Sequence, residues 1–135
     1  MVYRELTDAC REGDLVCVRA LIARGVDVDF ADPEREDWLS WTPLMHASCC
    51  GYRAIVEALL AAGAKVDYRD RDSNTALTLA AREGHWDIVP LLLAAGADPT
   101  VRDHCDETAY DYAVREGQIE MAERLKAAMT GAAAA

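Results

Sequence analysis

A fixed period of 33 residues constrains this chain more than any other feature of its sequence. Three kinds of residue recur at that spacing: threonines at 42, 75 and 108, alanines at 47, 80 and 113, and glycines at 51, 84 and 117. Self-similarity at a constant period is the sequence signature of stacked repeats, in which each unit buries its apolar face against its neighbours. The period therefore predicts a solenoid.

The stretch SNTALTLAAREGHWDIVPLLLAAGADP, residues 73–99, shows how one unit folds. Thr75 is suited to cap a first helix through its hydroxyl group. Gly84 and Gly96 are suited to the left-handed conformation that ends a helix. Apolar residues at helical spacing predict one buried face on each helix. They are Leu77, Ala80 and Ala81 on the first helix, and Ile88, Val89, Leu92 and Leu93 on the second.

Three segments carry a family resemblance: TPLMHASCCGYRAIVEALLAAGAKVD, TALTLAAREGHWDIVPLLLAAGADP and the weaker TAYDYAVREGQIEMAERLKAA. At these residues the chain resembles the ankyrin repeat family. The resemblance implies an all-α solenoid of four stacked helix-turn-helix repeats with short hairpin fingers between them. It also implies a non-catalytic module, an adaptor or scaffold, that binds a partner protein through its concave face and fingers.

We expect a single domain over residues 1–135, with its repeats at 41–67, 70–99, a degenerate N-terminal cap at 5–30 and a C-terminal cap at 103–129. The cap at 5–30 aligns with the second repeat at an offset of 38, which leaves five extra residues in an extended finger at 32–41. A Pro beyond the first helical turn distorts a helix, so we expect mild distortion at Pro90. Residues 130–135 are expected to form a frayed tail.

The acidic composition narrows the classes of partner. The net charge is −10 and the pI is about 4.6, whereas duplex DNA and anionic membranes require Lys- and Arg-rich surfaces. The N-terminus has no apolar signal core, and the apolar run at 88–97 is too short to span a bilayer. Five cysteines without framework spacing indicate a reducing compartment, hence the cytoplasm.

His46, Cys49 and Cys50 form the sharpest candidate for a metal or redox site, because helical spacing places them on neighbouring positions. A fourth ligand is not evident nearby, so a metal- or redox-responsive binding protein stays the alternative function, beside a regulatory subunit of an enzyme. Cys10 and Cys17 are expected on packed faces. We accordingly expect Cys49, Cys50 and Cys105 to react with a thiol reagent before Cys10 and Cys17 do.

Nothing in the sequence assembles a catalytic set. His104 and Cys105 are adjacent in a turn, which rarely gives nucleophile–base geometry, and His85 occupies a structural Gly-His position of the family. Phosphate loops, nucleophile elbows and HExxH motifs are missing from the sequence. We predict that the chain is not an enzyme and needs no cofactor or metal.

The extended finger holds two tryptophans beside Glu34, Glu36 and Asp37, either packed on the second repeat or exposed as an anchor. Acidic neighbours favour a partner with a basic and apolar segment, and alone we expect a monomer. Alignment with the family places the partner-contacting positions in the fingers and at the ends of the first helices. They are Trp38, Leu39, Trp41, Cys49, Cys50, Arg71, Asp72, Asn74, Arg82, Glu83, His104, Cys105, Glu107, Arg115 and Glu116.

Overall fold

Four successive helix pairs make up the part of the chain that the structure, a computed structural model, describes: residues 2–31 and 40–131, with side chains from residue 6. Within these ranges every regular element is a helix, which confirms the predicted all-α class. The helices are α1 Val2–Glu12, α2 Leu15–Ala23, α3 Pro43–Cys50, α4 Arg53–Ala61, α5 Ala76–Arg82, α6 Val89–Ala94, α7 Ala109–Arg115 and α8 Ile119–Thr130.

The repeated threonines begin the first helices of the last three repeats. Thr42 accepts a hydrogen bond from the backbone N–H of Met45, at 3.3 Å. Thr75 forms a full capping box with Thr78, and Thr108 forms one with Asp111, each pair exchanging backbone and side-chain hydrogen bonds. These caps satisfy N–H groups that a helix start leaves without intrahelical partners. The predicted cap at Thr75 is therefore confirmed.

The first helices form the continuous stack, since α3 packs against α1 and α5, and α5 packs against α7. The period-33 alanines, Ala47, Ala80 and Ala113, are fully buried in this layer. Their small side chains let neighbouring helices approach closely while the larger apolar residues fill the space toward the second helices. The core follows from this stacking and includes Leu6 and Cys10 of the N-terminal repeat and Leu125 of the C-terminal repeat.

Pro90 lies in the first turn of α6, and the departure from a regular helix that we expected there takes the form of a late helix start rather than a kink. The helix begins at Val89, and residues 86–88 form turns ahead of it. Proline is tolerated at this position because the N–H that it lacks would have no intrahelical partner. The consequence is a shorter helix, with six residues in α6 against nine in α4.

The chain ends of the fold extend slightly beyond the repeat bounds taken from the sequence. Helix α8 continues through Thr130 and is ended by Gly131 in the left-handed conformation, with φ of 75°. Thr130 therefore belongs to the helix rather than to the expected tail.

In the N-terminal repeat, Val18 and Leu21 of α2 are buried, whereas Cys17, which we expected on a packed face, is only half-buried.

Candidate functional site

The finger before the third repeat is organised by one carboxylate, that of Asp70. Its Oδ1 accepts hydrogen bonds from the backbone N–H groups of Asp72 at 2.9 Å and Asn74 at 2.8 Å. Its Oδ2 accepts from the Asn74 amide at 2.9 Å and from Trp41 Nε1 at 2.7 Å. Ser73 takes a positive φ of 61° at the tip. Because bonds to a charged acceptor are strong, this network holds the turn in one shape.

The finger before the fourth repeat repeats the arrangement around Asp103. Its Oδ1 accepts from the backbone N–H groups of Cys105 at 2.9 Å and Glu107 at 3.1 Å, and its Oδ2 accepts from the Tyr112 hydroxyl. Burial acts to raise the pKa of Asp103, but the bonds from Tyr112, Glu107 and Cys105 outweigh it and lower that pKa. Asp103 is thus held as a carboxylate inside the turn.

Sequence reasoning missed Asp70 and Asp103, although a signal for both was available. The two residues are 33 apart, as the capping threonines are. Asn74, which we predicted as a contact residue, is only 4% exposed because its side chain bonds to Asp70. Its role in the structure is to shape the finger, so we leave it out of the surface proposed below.

The finger tips present the predicted polar residues to solvent. Arg71 and Asp72 are exposed at the first tip, and His104 and Cys105 at the second. Since Asp70 and Asp103 bond to the backbone N–H groups beneath these side chains, the turns are shaped without using the exposed groups themselves. We call this set of four residues, Arg71, Asp72, His104 and Cys105, the tip surface.

The end of one first helix is linked directly to the adjacent finger. Arg115 of α7 reaches back to form an ion pair with Glu107 of the adjacent finger. Arg82 and Glu83 pair at 3.4 Å, and Glu116 accepts a hydrogen bond from Trp86 Nε1 at 2.9 Å. Cys49 is half-buried and Cys50 exposed. The structure therefore joins Glu107 and Arg115 directly and places the other predicted residues at equivalent helix ends.

Trp41 is a structural contact between the second repeat and the next finger. Its indole is half-buried, donates to Asp70, and lies 5.3 Å from the His46 ring between centroids. Trp38 and Leu39, predicted with it as contact residues, lie outside the described residues. The extended finger at 32–41 is therefore described only at its C-terminal end, where the indole packs.

The structure does not bring His46, Cys49 and Cys50 together as ligands. His46 is 2% exposed, and burial, followed by the nearby charge of Arg11, lowers its pKa to about 4. Burial also raises the pKa of Cys49 to about 11. Both shifts follow from the packing of α3 between α1 and α5, since a buried site disfavours the charged form of either group. The described residues therefore give no support to a metal site there.

One group of three potential ligands does occur within the described ranges. Donor atoms of Asp103, His104 and Cys105 lie within 4.8 Å of one another, and Cys105 Sγ is 3.5 Å from His104 Nε2. The Asp103 carboxylate already accepts three hydrogen bonds that shape the finger. Only two exposed donors remain, fewer than the three or four protein ligands of zinc sites, and we assign no metal to this group.

The five cysteines differ enough in environment to predict an order of thiol labelling. We expect Cys50 and Cys105, which are exposed, to react first, Cys17 and Cys49 more slowly, and Cys10 last. Burial raises the pKa of Cys10 to about 12, which leaves about a thousandfold less thiolate than its ordinary value of 9.0 would give. Mass mapping after a short pulse of alkylation checks this order, with the denatured chain as the control for equal reactivity. Labelling of Cys10 as fast as Cys50 would contradict the packing of α1.

Comparison with known proteins agrees with this architecture. A family model described as ankyrin repeats in three copies matches residues 6–103 and 69–132. The chain belongs to the ankyrin repeat family. It is 43% identical over 70 residues to glycerophosphocholine phosphodiesterase gde1 of Schizosaccharomyces pombe, a match that covers 51% of this chain and 6% of that protein.

Two further relatives carry the family name in their own. Ankyrin repeat domain-containing protein 63 of Homo sapiens is 36% identical over 84 residues, covering 59% of this chain and 21% of that protein. Ankyrin repeat and KH domain-containing protein mask-1 of Caenorhabditis elegans is 36% identical over 75 residues, covering 56% of this chain and 3% of that protein. The chain thus spans about a fifth or less of the length of these three relatives.

The family indicates a general type of function. Ankyrin repeats are generally protein–protein interaction modules and are typically non-catalytic. In the described ranges, no helix is both long and apolar enough to cross a membrane.

Proposed function

We propose that this chain is a non-catalytic recognition module that acts in the cytoplasm and binds a partner protein through the tip surface and the adjoining ends of the first helices. The observation that carries the proposal is the pair of equivalent aspartates, Asp70 half-buried and Asp103 buried, beneath the two finger tips. Asp70 and Asp103 accept hydrogen bonds from backbone N–H groups of the two turns, and the four tip side chains remain exposed. A surface that is ordered before binding loses less conformational entropy when a partner docks.

The charge of the chain indicates the chemistry of the partner. The net charge is −10, and the acidic residues Glu34, Glu36 and Asp37 belong to the extended finger that precedes α3. A partner segment with Lys or Arg beside an apolar anchor would be attracted by this field and would associate faster at low salt. The same field disfavours nucleic acid and anionic membranes as partners.

A charge-neutral variant of the tip surface tests the proposal. In Arg71→Ala/Asp72→Ala/His104→Ala/Cys105→Ala one positive and one negative charge are lost together. The matched control is Arg53→Ala/Glu57→Ala on α4, which removes an exposed ion pair of 3.1 Å from a second helix. Wild type and both variants are immobilised in reducing buffer, and proteins captured from the host lysate are quantified.

We expect the tip variant to bind the partner about thirtyfold more weakly, equivalent to about 2 kcal/mol for a hot-spot cluster. The control is expected to bind the partner as wild type does. Trp38→Ala is expected to weaken binding of the same partner by about 2 kcal/mol or more and to leave the helix content unchanged. Equal capture by wild type and tip variant, or loss confined to the α4 control, would refute the assignment of the site to the fingers.

A further inference from the structure

The outer face of the last repeat exposes large apolar side chains around a groove. Val114 of α7 is 55% exposed and Ile119 of α8 is 74% exposed. Both border a groove of about 280 Å³. Its lining also includes Tyr110, Gly117, Glu123 and Lys126. Adjacent exposed apolar residues at a groove mark an interaction surface more often than single exposed residues do.

The interior of the stack shows what this face accommodates. Val114 is equivalent, at the period of 33, to Ala81 and Ser48, and both of these are 0% exposed because the next repeat covers them. Gly117 is likewise equivalent to Gly51, which lies directly beneath the His85 ring of the next repeat. The residues around the groove therefore belong to the face that the earlier repeats bury, and within the described residues the last repeat leaves this face uncovered.

The charges on the two helices that form this face permit self-association. Helix α7 carries Asp111 and Arg115, and α8 carries two acidic and two basic residues, so each helix is neutral although the chain has a net charge of −10. Glu123 and Lys126 both line the groove. Two copies related by a two-fold axis could therefore place Lys126 of one opposite Glu123 of the other without concentrating like charge.

We propose that this face, formed by α7 and α8 around Val114 and Ile119, is a dimer interface for a second copy of the chain. A two-fold arrangement buries the same patch on both copies and closes, so that association stops at two. The inference goes beyond the proposed partner site, which includes neither Val114 nor Ile119. That site comprises the tip surface and the polar residues at the helix ends: Arg82, Glu83, Arg115 and Glu116. The inference differs from the expectation of a monomer, which rested on the sequence alone, and the experiment below decides between the two.

Sedimentation velocity across a series of protein concentrations, in reducing buffer, tests the dimer. Wild type is expected to move from 14.8 kDa toward twice that mass as concentration rises. Val114→Gln/Ile119→Gln leaves the net charge unchanged and is expected to raise the dissociation constant at least tenfold. The matched control is Val16→Gln in α2, where the replaced valine is 80% exposed in the first repeat. This control variant is expected to dimerise as wild type does.

Two readouts keep the result interpretable. Circular dichroism and the urea midpoint establish that each variant is folded, since Gln is a good helix former at an exposed position. Partner capture separates the two proposals, because the Gln double variant is expected to keep the partner and the tip variant is expected to keep the dimer. Wild type that stays at 14.8 kDa overturns the proposal, as does equal weakening by Val16→Gln and by the double variant.

Discussion

Gly51→Ala is expected to lower the free energy of unfolding by about 3 kcal/mol. Gly51 has a φ of 81°, where a side chain costs about 1–2 kcal/mol. A Cβ there would also lie 2.5 Å from Cε1 and 2.6 Å from Nδ1 of His85. The ring would have to move, and its 2.9 Å hydrogen bond to the Cys49 carbonyl between repeats would be lost at a further cost of about 1 kcal/mol.

Two further measurements separate the strain from the clash. Gly63→Ala is the matched control, because Gly63 has a φ of 88° and a Cβ there would meet no atom within 4 Å. Its cost should be the backbone strain alone, about 1–2 kcal/mol by urea denaturation. In a His85→Ala background the cost of Gly51→Ala should fall to that of the control. An undiminished cost in that background would show that His85 is not the obstacle.

Stability is expected to fall by about 3 kcal/mol between pH 6.5 and pH 4 because of His46. Burial, then the charge of Arg11, lowers the pKa of His46 from 6.5 to about 4, with Asp8 acting in the opposite direction. In this window the unfolded chain binds a proton that the folded chain does not. The free energy of unfolding therefore rises with pH through the window, and the contribution of His46 to it is lost as the pH falls.

Urea denaturation at several pH values checks this contribution through its slope. His46→Gln cannot titrate and should flatten the pH dependence between pH 4 and 6.5 whatever its effect on stability at neutral pH. His104→Gln, at an exposed position, is the matched substitution. Carboxylates such as Asp103, whose pKa is lowered, lose their contribution to stability only below the ordinary value of 3.8, which lies outside this window. Equal slopes for wild type and His46→Gln would show that the histidine does not control the loss.

The helices and their caps were predictable because their signals are local. Thr75 and Thr108 bond to groups three residues away, and the apolar stripes recur every three or four residues. The left-handed conformation of Gly84 and Gly96 also follows from residue type at a helix end. A period of 33 then implies stacking, because no single unit can bury its own stripe.

The start of α6 was harder to predict, although the rule for proline is local. One residue of register decides whether Pro90 lies in the first turn or beyond it. Sequence patterns locate helix ends only to within a few residues, whereas the effect of proline changes completely over that distance. The boundary depends on how the turn at residues 86–88 packs, and that is a property of the folded stack.

Side-chain environments across repeats were beyond the reach of the sequence. Trp41 donates to Asp70 from 29 positions away, and His85 bonds to the backbone of Cys49 from 36 positions away. Helical spacing placed His46, Cys49 and Cys50 on neighbouring positions, but the packing of α1 and α5 against α3 decided that His46 is buried and Cys50 exposed. Such pairings depend on the distance and rotation between neighbouring repeats, which no single repeat encodes.

The amino-acid sequence by itself determined the repeat architecture, the family and the absence of a recognisable catalytic motif, since these depend on residue type at fixed spacing. Only the tertiary structure decided which polar residues are available to a partner. It buried Asn74 beside Asp70, ordered the tip surface above two aspartates, and left Val114 uncovered where Ala81 is covered. The physical reason is that exposure is set by neighbours in space, and a solenoid brings together residues one repeat apart.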